Sequence, residues 1–510
     1  MAGIIGSSLN VQTKAGKLLG TLEDDLAVFR GIQYAAPPVG PLRWMPPQPV
    51  AAWPRIKAAD RFRGICPQDV GPSAIPGRKP STEPQNEDCL YLNVWTPAAD
   101  NLKRPVLVWI HGGAFLHGSG SSPNTPAHNI ARRGSIVVVT INYRLGCLGF
   151  INLNQFTGGK IPSSGNEGLL DQIAALGWVR DNILAFGGDP NNVTIFGESA
   201  GAESIGALLA MAESKGLYKK AILESGASKA QPLERANKAA ETFFAKLGLD
   251  GKDADKMRAL PVEALIKAQA ELALGAASGV SAGVGFGPVQ DGKYLKGVPL
   301  EAIENGSARD VTVLAGSNLE EGKLFAAMGP NIKNMDEAGL KQRVAKLLPE
   351  QYASGMIEKY RKALARRDLP VTPFEIYVAI MGDQHFRMPN IRLCEYQEKL
   401  GKPAWGYVFT WKSTAPDLGA CHALDVGFVF GNLTKEFEGV NASSQKLSAQ
   451  MQDAWIAFAK TGDPSTSELP WPRYGKDRKM MVLGENSRAE TAPYEAERSA
   501  WDGIENRLLG

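Results

Sequence analysis

The sequence predicts an α/β protein with a large, mostly parallel central sheet carrying helices on both faces, an antiparallel N-terminal meander and a mainly helical cap. Three observations carry that expectation. Residues 106–110 (VLVWI) and 136–141 (IVVVTI) are unbroken apolar, β-branched runs without alternation, the pattern of strands covered on both faces. Further runs at 193–196, 221–223, 311–315 and 405–410 are separated by helical stretches, which is the alternation of a parallel sheet with crossover helices. Finally, residues 334–398 read as mainly helical, with breaks at Pro349, Pro370, Pro373 and Pro389, and form the expected cap (about 325–400) over the sheet's active edge.

In chain order, residues 10–32 alternate short β-rich runs with turn signals, Ala15-Gly16 and Asp24-Asp25, which gives the meander. The proline-rich stretch 34–49 excludes regular helix and is expected to run extended over the surface as a connector. Between Leu169 and Ile183, apolar residues at 169, 173, 176, 179 and 183 mark one face of a crossover helix. Residues 275–287 (GAASGVSAGVGFG) have little to pin them by packing and read as a mobile loop. No internal repeat is visible, and all 510 residues are expected to form a single domain.

Composition narrows the function classes. With 44% hydrophobic and 21% charged residues the chain can bury a sizeable core. Its net charge of +3 gives no reason to expect a nucleic-acid or membrane-surface partner. No apolar stretch is long enough to span a bilayer, and residues 1–17 lack a secretory pattern, as they would both in a cytoplasmic protein and in a trimmed mature chain. The five cysteines, Cys66, Cys89, Cys147, Cys394 and Cys421, are too few for a disulfide-built scaffold and lack zinc-site spacing.

The chemistry concentrates in a few segments. Gly197-Glu198-Ser199-Ala200-Gly201 is a G-x-S-x-G pentapeptide between a strand and a helix rich in small residues. Such an elbow lifts the serine hydroxyl clear of the sheet, and its glycines let strand and helix pass without a Cβ clash. Ser199 is therefore the candidate nucleophile. A tetrahedral intermediate also needs N–H donors, each worth about 3–4 kcal/mol. His111-Gly112-Gly113-Ala114-Phe115 follows a buried strand directly, so Gly113 and Ala114 are candidate donors, with Ala200 at the helix start as the third. A serine hydroxyl needs a base. Of the five histidines, His111 and His117 belong to the donor loop, His128 to a polar connection and His385 to the cap, which leaves His422, late in the chain. Glu320 and Glu321 in Asn318-Leu-Glu-Glu-Gly322 are acidic candidates that the residues alone do not separate.

Together with FRGIQYA (29–35), EDCLYLNV (87–94), NYR (142–144) and FGGDP (186–190), these motifs resemble the type-B carboxylesterase family, which also contains the cholinesterases. The resemblance spans nearly the whole chain and implies an α/β-hydrolase fold and a serine esterase acting on a small ester without metal or cofactor. It implies Glu321 as the acid that orients His422, with Glu198 and Ser225 as supporting residues beside Gly112. It also implies two buried ion pairs, Arg43 with Glu87 and Arg144 with Asp171, and a Cys66–Cys89 disulfide, which favours an exported protein. The segment between those cysteines lacks the tryptophan with which cholinesterases bind quaternary ammonium, so choline esters are not expected. Arg78 and Lys79 in that segment read as a solvated basic turn, or as an attraction for an anionic ester. Ala114 stands where many relatives carry a third glycine. A catalytically silent binding module, an amidase and a lipase are the competing functions. The physiological ester and the oligomeric state are not legible.

Overall fold

The apolar runs become strands because helices cover both of their faces. The computed structural model describes residues 9–69, 75–79, 82–226, 228–277, 285–329 and 332–509. Its main sheet has 11 strands. They are β1 (Thr21–Glu23), β2 (Leu26–Gln33), β3 (Tyr91–Thr96), β4 (Arg104–Ile110), β5 (Val137–Ile141) and β6 (Gly188–Glu198), then β7 (Lys220–Glu224), β8 (Thr312–Asn318), β9 (Ala404–Phe409), β10 (Lys479–Leu483) and β11 (Arg488–Thr491). The spatial order is β11-β10-β9-β8-β7-β6-β4-β5-β3-β2-β1. From β10 across to β5 all neighbours are parallel; β11 at one edge and β3, β2 and β1 at the other pair antiparallel. This is the α/β-hydrolase architecture anticipated above.

Alternate residues of each central strand feed different cores. Val106, Val108 and Ile110 of β4 join one buried cluster, and Leu107 and Trp109 join the other. The first is closed by α1 (Glu167–Asn182), α2 (Ala200–Leu208) and α3 (Val262–Ala277). Further along the chain lie α4 (Pro373–Gly382) and α5 (Met388–Lys399), and α6 (Ala442–Thr461) closes the second cluster with Leu447, Met451, Trp455 and Phe458. Since β4 pairs with both β5 and β6, chain order reverses at β4, and a parallel sheet opens a crevice beyond its strand ends at such a point.

The expected antiparallel N-terminal strands are present, with one refinement, and three further expectations need correction. The N-terminal meander divides: Asn10–Gln12 and Lys17–Leu19 join Lys57–Ala58 in a separate three-stranded sheet, and only β1 and β2 extend the main one. Within the proline-rich connector, Trp44 is fully buried, and its indole N–H donates to the Cys147 carbonyl at 2.8 Å, so this stretch anchors the core as well as crossing the surface. The helix predicted from one apolar face, α1, is buried on nearly all sides, because its acidic residues have internal partners: Asp171 binds Arg144, and Glu167 accepts from Ser163 Oγ at 2.8 Å. In the stretch expected to form the cap, Pro349 and Pro373 do start helices, but Pro389 breaks nothing. A π-helical turn, Asp383–Arg387, joins α4 to α5 and takes up the carbonyl clash that a proline imposes one turn back. As a result α5 lies against the sheet, with Asn390 Nδ2 donating to the Gly316 carbonyl at 2.8 Å. Of the expected mobile loop, residues 278–284 lie outside the described residues, and Gly275–Ala277 end α3.

Candidate active site

The site is assembled from segments that leave the carboxyl ends of β4, β6, β7, β8 and β9. Between β6 and α2 the backbone turns at Ser199 with φ 55° and ψ −125°. Such a conformation costs of order 1–3 kcal/mol and survives where its surroundings fix it. Here the Ser199 N–H donates to the Glu224 carbonyl at 2.9 Å, and the Ser199 carbonyl accepts from the Glu203 N–H at 2.8 Å. The flanking glycines are required by close approach: a Cβ at Gly201 would lie 2.0 Å from the Ile110 carbonyl oxygen, and one at Gly197 would lie 2.7 Å from it.

That carbonyl belongs to the end of β4, so the elbow packs directly against the loop of His111 to Phe115. A Cβ on Gly112 would sit 2.6 Å from the Glu198 carbonyl oxygen and 3.1 Å from Ser199 Cβ. Gly113 has φ 113°, and its carbonyl accepts from the N–H groups of Leu116 and His117, each at 2.9 Å. Ala114 follows with φ 55°, a left-handed conformation that costs an L-residue about 1–2 kcal/mol. Among the described residues, the N–H groups of Gly113, Ala114 and Ala200 form no hydrogen bond.

The two glutamates after β8 separate clearly. Glu320 pairs with Lys323 at 2.6 Å and accepts from the Ala420 N–H at 2.8 Å. Glu321 instead turns inward: Oε1 accepts from the Asn318 N–H at 2.7 Å, and Oε2 lies 2.6 Å from His422 Nδ1. The other ring nitrogen, Nε2, faces Glu198 Oε1 at 3.2 Å, and Ser199 is the next residue along the chain. No hydrogen bond joins His422 to Ser199 Oγ among the described residues. The ring is buried under Phe325 and Phe386, at centroid distances of 4.9 and 4.6 Å. Burial opposes its positive charge, but the Glu198 and Glu321 carboxylates prevail and hold the imidazole up at about 9. Burial pushes the Glu198 carboxyl up to about 8, helped by Asp425 and Glu321 and opposed by His422.

The Carboxylesterase family model matches residues 7–501. The para-nitrobenzyl esterase of Bacillus subtilis is 39% identical over 96% of this chain and 97% of its own length. The phenmedipham hydrolase of Pseudarthrobacter oxydans is 34% identical over 94% and 96%. A crystal structure of a carboxylesterase from Geobacillus stearothermophilus superposes with a TM-score of 0.87 at 38% identity, covering 97% of this chain and all of that one. The chain belongs to the carboxylesterase family. It is a carboxylic ester hydrolase.

In this carboxylesterase a cavity of about 840 Å³ is lined by Ser199, Ala200 and Ala114. Tyr377 and Met381 of α4, with His385 and Phe386 of the π turn, supply one wall, and residues 229–235 and 285–290 supply another. Ser225, with φ 50°, follows β7; its N–H donates to the Gly316 carbonyl at 2.9 Å, and its buried hydroxyl has no partner among the described residues. Sequence reasoning did not assign the polar residues behind His422. Asp425 accepts from Asn318 Nδ2 and from the Tyr407 hydroxyl, both at 3.2 Å, and Glu224 accepts from the Trp455 indole at 2.7 Å. The one available signal was Asp425 standing three positions after His422.

Both ion pairs implied by the resemblance are formed: Arg43 with Glu87, which is partly buried, and Arg144 with Asp171 at 2.7 Å, which is fully buried. The disulfide is not. Cys66 and Cys89 are free, buried thiols, and Cys66 Sγ accepts from the Leu145 N–H at 3.2 Å. Arg78 is neither a solvated charge nor available to a substrate, because it pairs with the fully buried Glu438 and is itself buried. Among the described residues, no helix is long and apolar enough to cross a membrane.

Proposed function

We propose that this ester hydrolase works through an acyl-enzyme on Ser199, with His422 as general base and acid and Glu321 orienting it. The observation that carries this reading is the imidazole itself. Its Nδ1 is tied to Glu321 at 2.6 Å, and its Nε2 faces the elbow that presents Ser199 to the cavity. Glu321 selects the tautomer whose free nitrogen is Nε2 and stabilises the imidazolium formed as the serine proton arrives. Catalytic hydrogen bonds commonly tighten only when substrate is bound, so the present turn of Nε2 toward Glu198 is compatible with transfer from Ser199.

In the first step Ser199 Oγ bonds to the ester carbonyl carbon while its proton passes to His422 Nε2. The carbonyl oxygen becomes negative beside the N–H groups of Gly113, Ala114 and Ala200. Collapse breaks the bond to the alcohol, which leaves with the proton from His422. Water then attacks the acyl-enzyme under the same base, and the acid departs from a regenerated serine. Gly112 admits the loop against Ser199, Glu198 sets the charge around Nε2, and Ser225 closes the site beside the carbonyl that fixes the elbow. The whole chain acts as one catalytic unit in this reading.

A fluorophosphonate tests it directly. It should label the wild-type protein at one site, Ser199, and leave Ser199→Ala unlabelled and without p-nitrophenyl ester turnover. Labelling at another residue, or turnover surviving in Ser199→Ala, would overturn the assignment; absence of any labelling would point to a silent binding module. Matched ester, amide and long-chain substrates separate an esterase from an amidase or a lipase.

A further inference from the structure

The ionisable residues lining the cavity are Glu203, Lys229, Arg235, Tyr377, His385 and Arg507. Most of their charge cancels locally. Lys229 pairs with Glu203 at 3.1 Å, and Arg507 pairs with Glu505. Burial holds the His385 imidazole down at about 3, and its Nδ1 lies 3.1 Å from the Met381 carbonyl, so that ring is neutral at working pH. Arg235 remains. Among the described residues it has no carboxylate partner, and residues 278–284 contain no Asp or Glu that could supply one.

The position of Arg235 has no evident structural benefit. It lies in the first turn of the helix Leu233–Lys246, where the helix dipole disfavours a cation. Its guanidinium lies beside Gly285, at 3.5 Å from where a Cβ would project, and both residues line the cavity. The ground beneath it is fixed: Gln231 Nε2 donates to the carbonyls of Gly285 and Gly287 at 3.2 and 3.3 Å, Gln290 Nε2 donates to the Ala230 carbonyl at 2.7 Å, and Asn166 clamps Val289 through two hydrogen bonds. A charge on a fixed ribbon in a cavity that also has an aromatic wall is placed to meet a charge on the ligand.

We propose that Arg235 is a specificity-determining residue, and that the carboxylesterase takes esters bearing a carboxylate on the acyl or the alcohol part, which pairs with its guanidinium. This rests on the acyl-transfer reading above. Arg235 replaces Arg78 as the origin of an anionic preference, because Arg78 is consumed by Glu438.

Two matched pairs test it with the intact protein. One compares the p-nitrophenyl monoester of glutaric acid with p-nitrophenyl pentanoate; the other compares the acetate esters of 4-hydroxybenzoate and 4-hydroxybenzamide. In at least one pair the wild-type protein should favour the anion in kcat/KM. Arg235→Gln should cut that ratio about three- to fivefold, as expected for one partly exposed ion pair. Arg235→Glu should cut it further, and 0.5 M salt should erode it in the wild-type protein. Circular dichroism melts establish that the variants are folded, and the salt series needs no variant. Ratios that ignore salt and both substitutions would overturn the proposal while leaving ester hydrolysis intact. Failure of the wild-type protein to turn over any of the four esters, charged or neutral, would instead sink the reading on which it rests.

Discussion

His422 Nδ1 lies 2.6 Å from Oε2 of Glu321, while the adjacent Glu320 is held away by Lys323 and the Ala420 N–H. Two neighbouring carboxylates thus have distinct partners, and the proposed mechanism predicts distinct losses. Glu321→Gln keeps the shape but offers an amide in place of the charge that selects the tautomer, and kcat should fall by about 10³–10⁴. Glu320→Gln should lose less than about tenfold. Steady-state turnover of p-nitrophenyl acetate by the two variants checks this, and equal losses would mean that the wrong glutamate has been assigned.

Glu198 shapes the pH dependence. On the proposed mechanism the reactive enzyme needs a neutral His422 imidazole, so kcat/KM should be low below the histidine's pKa and rise as pH climbs through about 9. Burial acts the other way, and the charge of Glu198 raises that pKa, together with the charge and hydrogen bond of Glu321. In Glu198→Gln the ascending limb should therefore move to lower pH, whatever happens to the plateau. A limb that stays in place would show that the two groups do not titrate together.

The difference between what the sequence disclosed and what it hid is physical. Strands buried on both faces write their pattern locally, and a strand–elbow–helix passage needs small residues at fixed offsets, so β4, β5, β6 and Ser199 were legible. Glu321 and Glu320 have identical local surroundings, and only a fold that brings residue 422 beside one of them separates the two. Pro389 looked like a break because a π turn leaves no periodic signature. Arg78 looked like a surface charge because its partner stands 360 positions away.

That distant partner makes a stability prediction. Arg78→Met would strand the Glu438 carboxylate in the interior, where the Thr434 N–H and hydroxyl remain as donors at 2.8 Å. Removing one member of a buried pair costs about 3–5 kcal/mol. A solvated basic residue would cost less than about 0.5 kcal/mol. Urea midpoints for Arg78→Met and Lys79→Met should fall on opposite sides of that divide, and a neutral Arg78→Met would mean that the guanidinium lies in solvent.

Two glycines test whether the elbow depends on close approach or on glycine in general. A methyl at Gly201 would meet the backbone oxygens of Ile110 and His111 at 2.0 and 3.0 Å, and neither can yield without moving the end of β4 and the loop that carries Gly113. At Gly177, inside α1, a methyl meets nothing within 4 Å. Gly201→Ala should therefore lose more than about 3 kcal/mol, or leave a folded protein whose turnover has dropped by orders of magnitude. Gly177→Ala should gain up to about 1 kcal/mol, because alanine is the better helix former. Thermal melts and turnover measured on both variants decide the matter: if Gly201→Ala behaves like Gly177→Ala, the strand and helix do not meet at the distance on which the geometry of Ser199 depends.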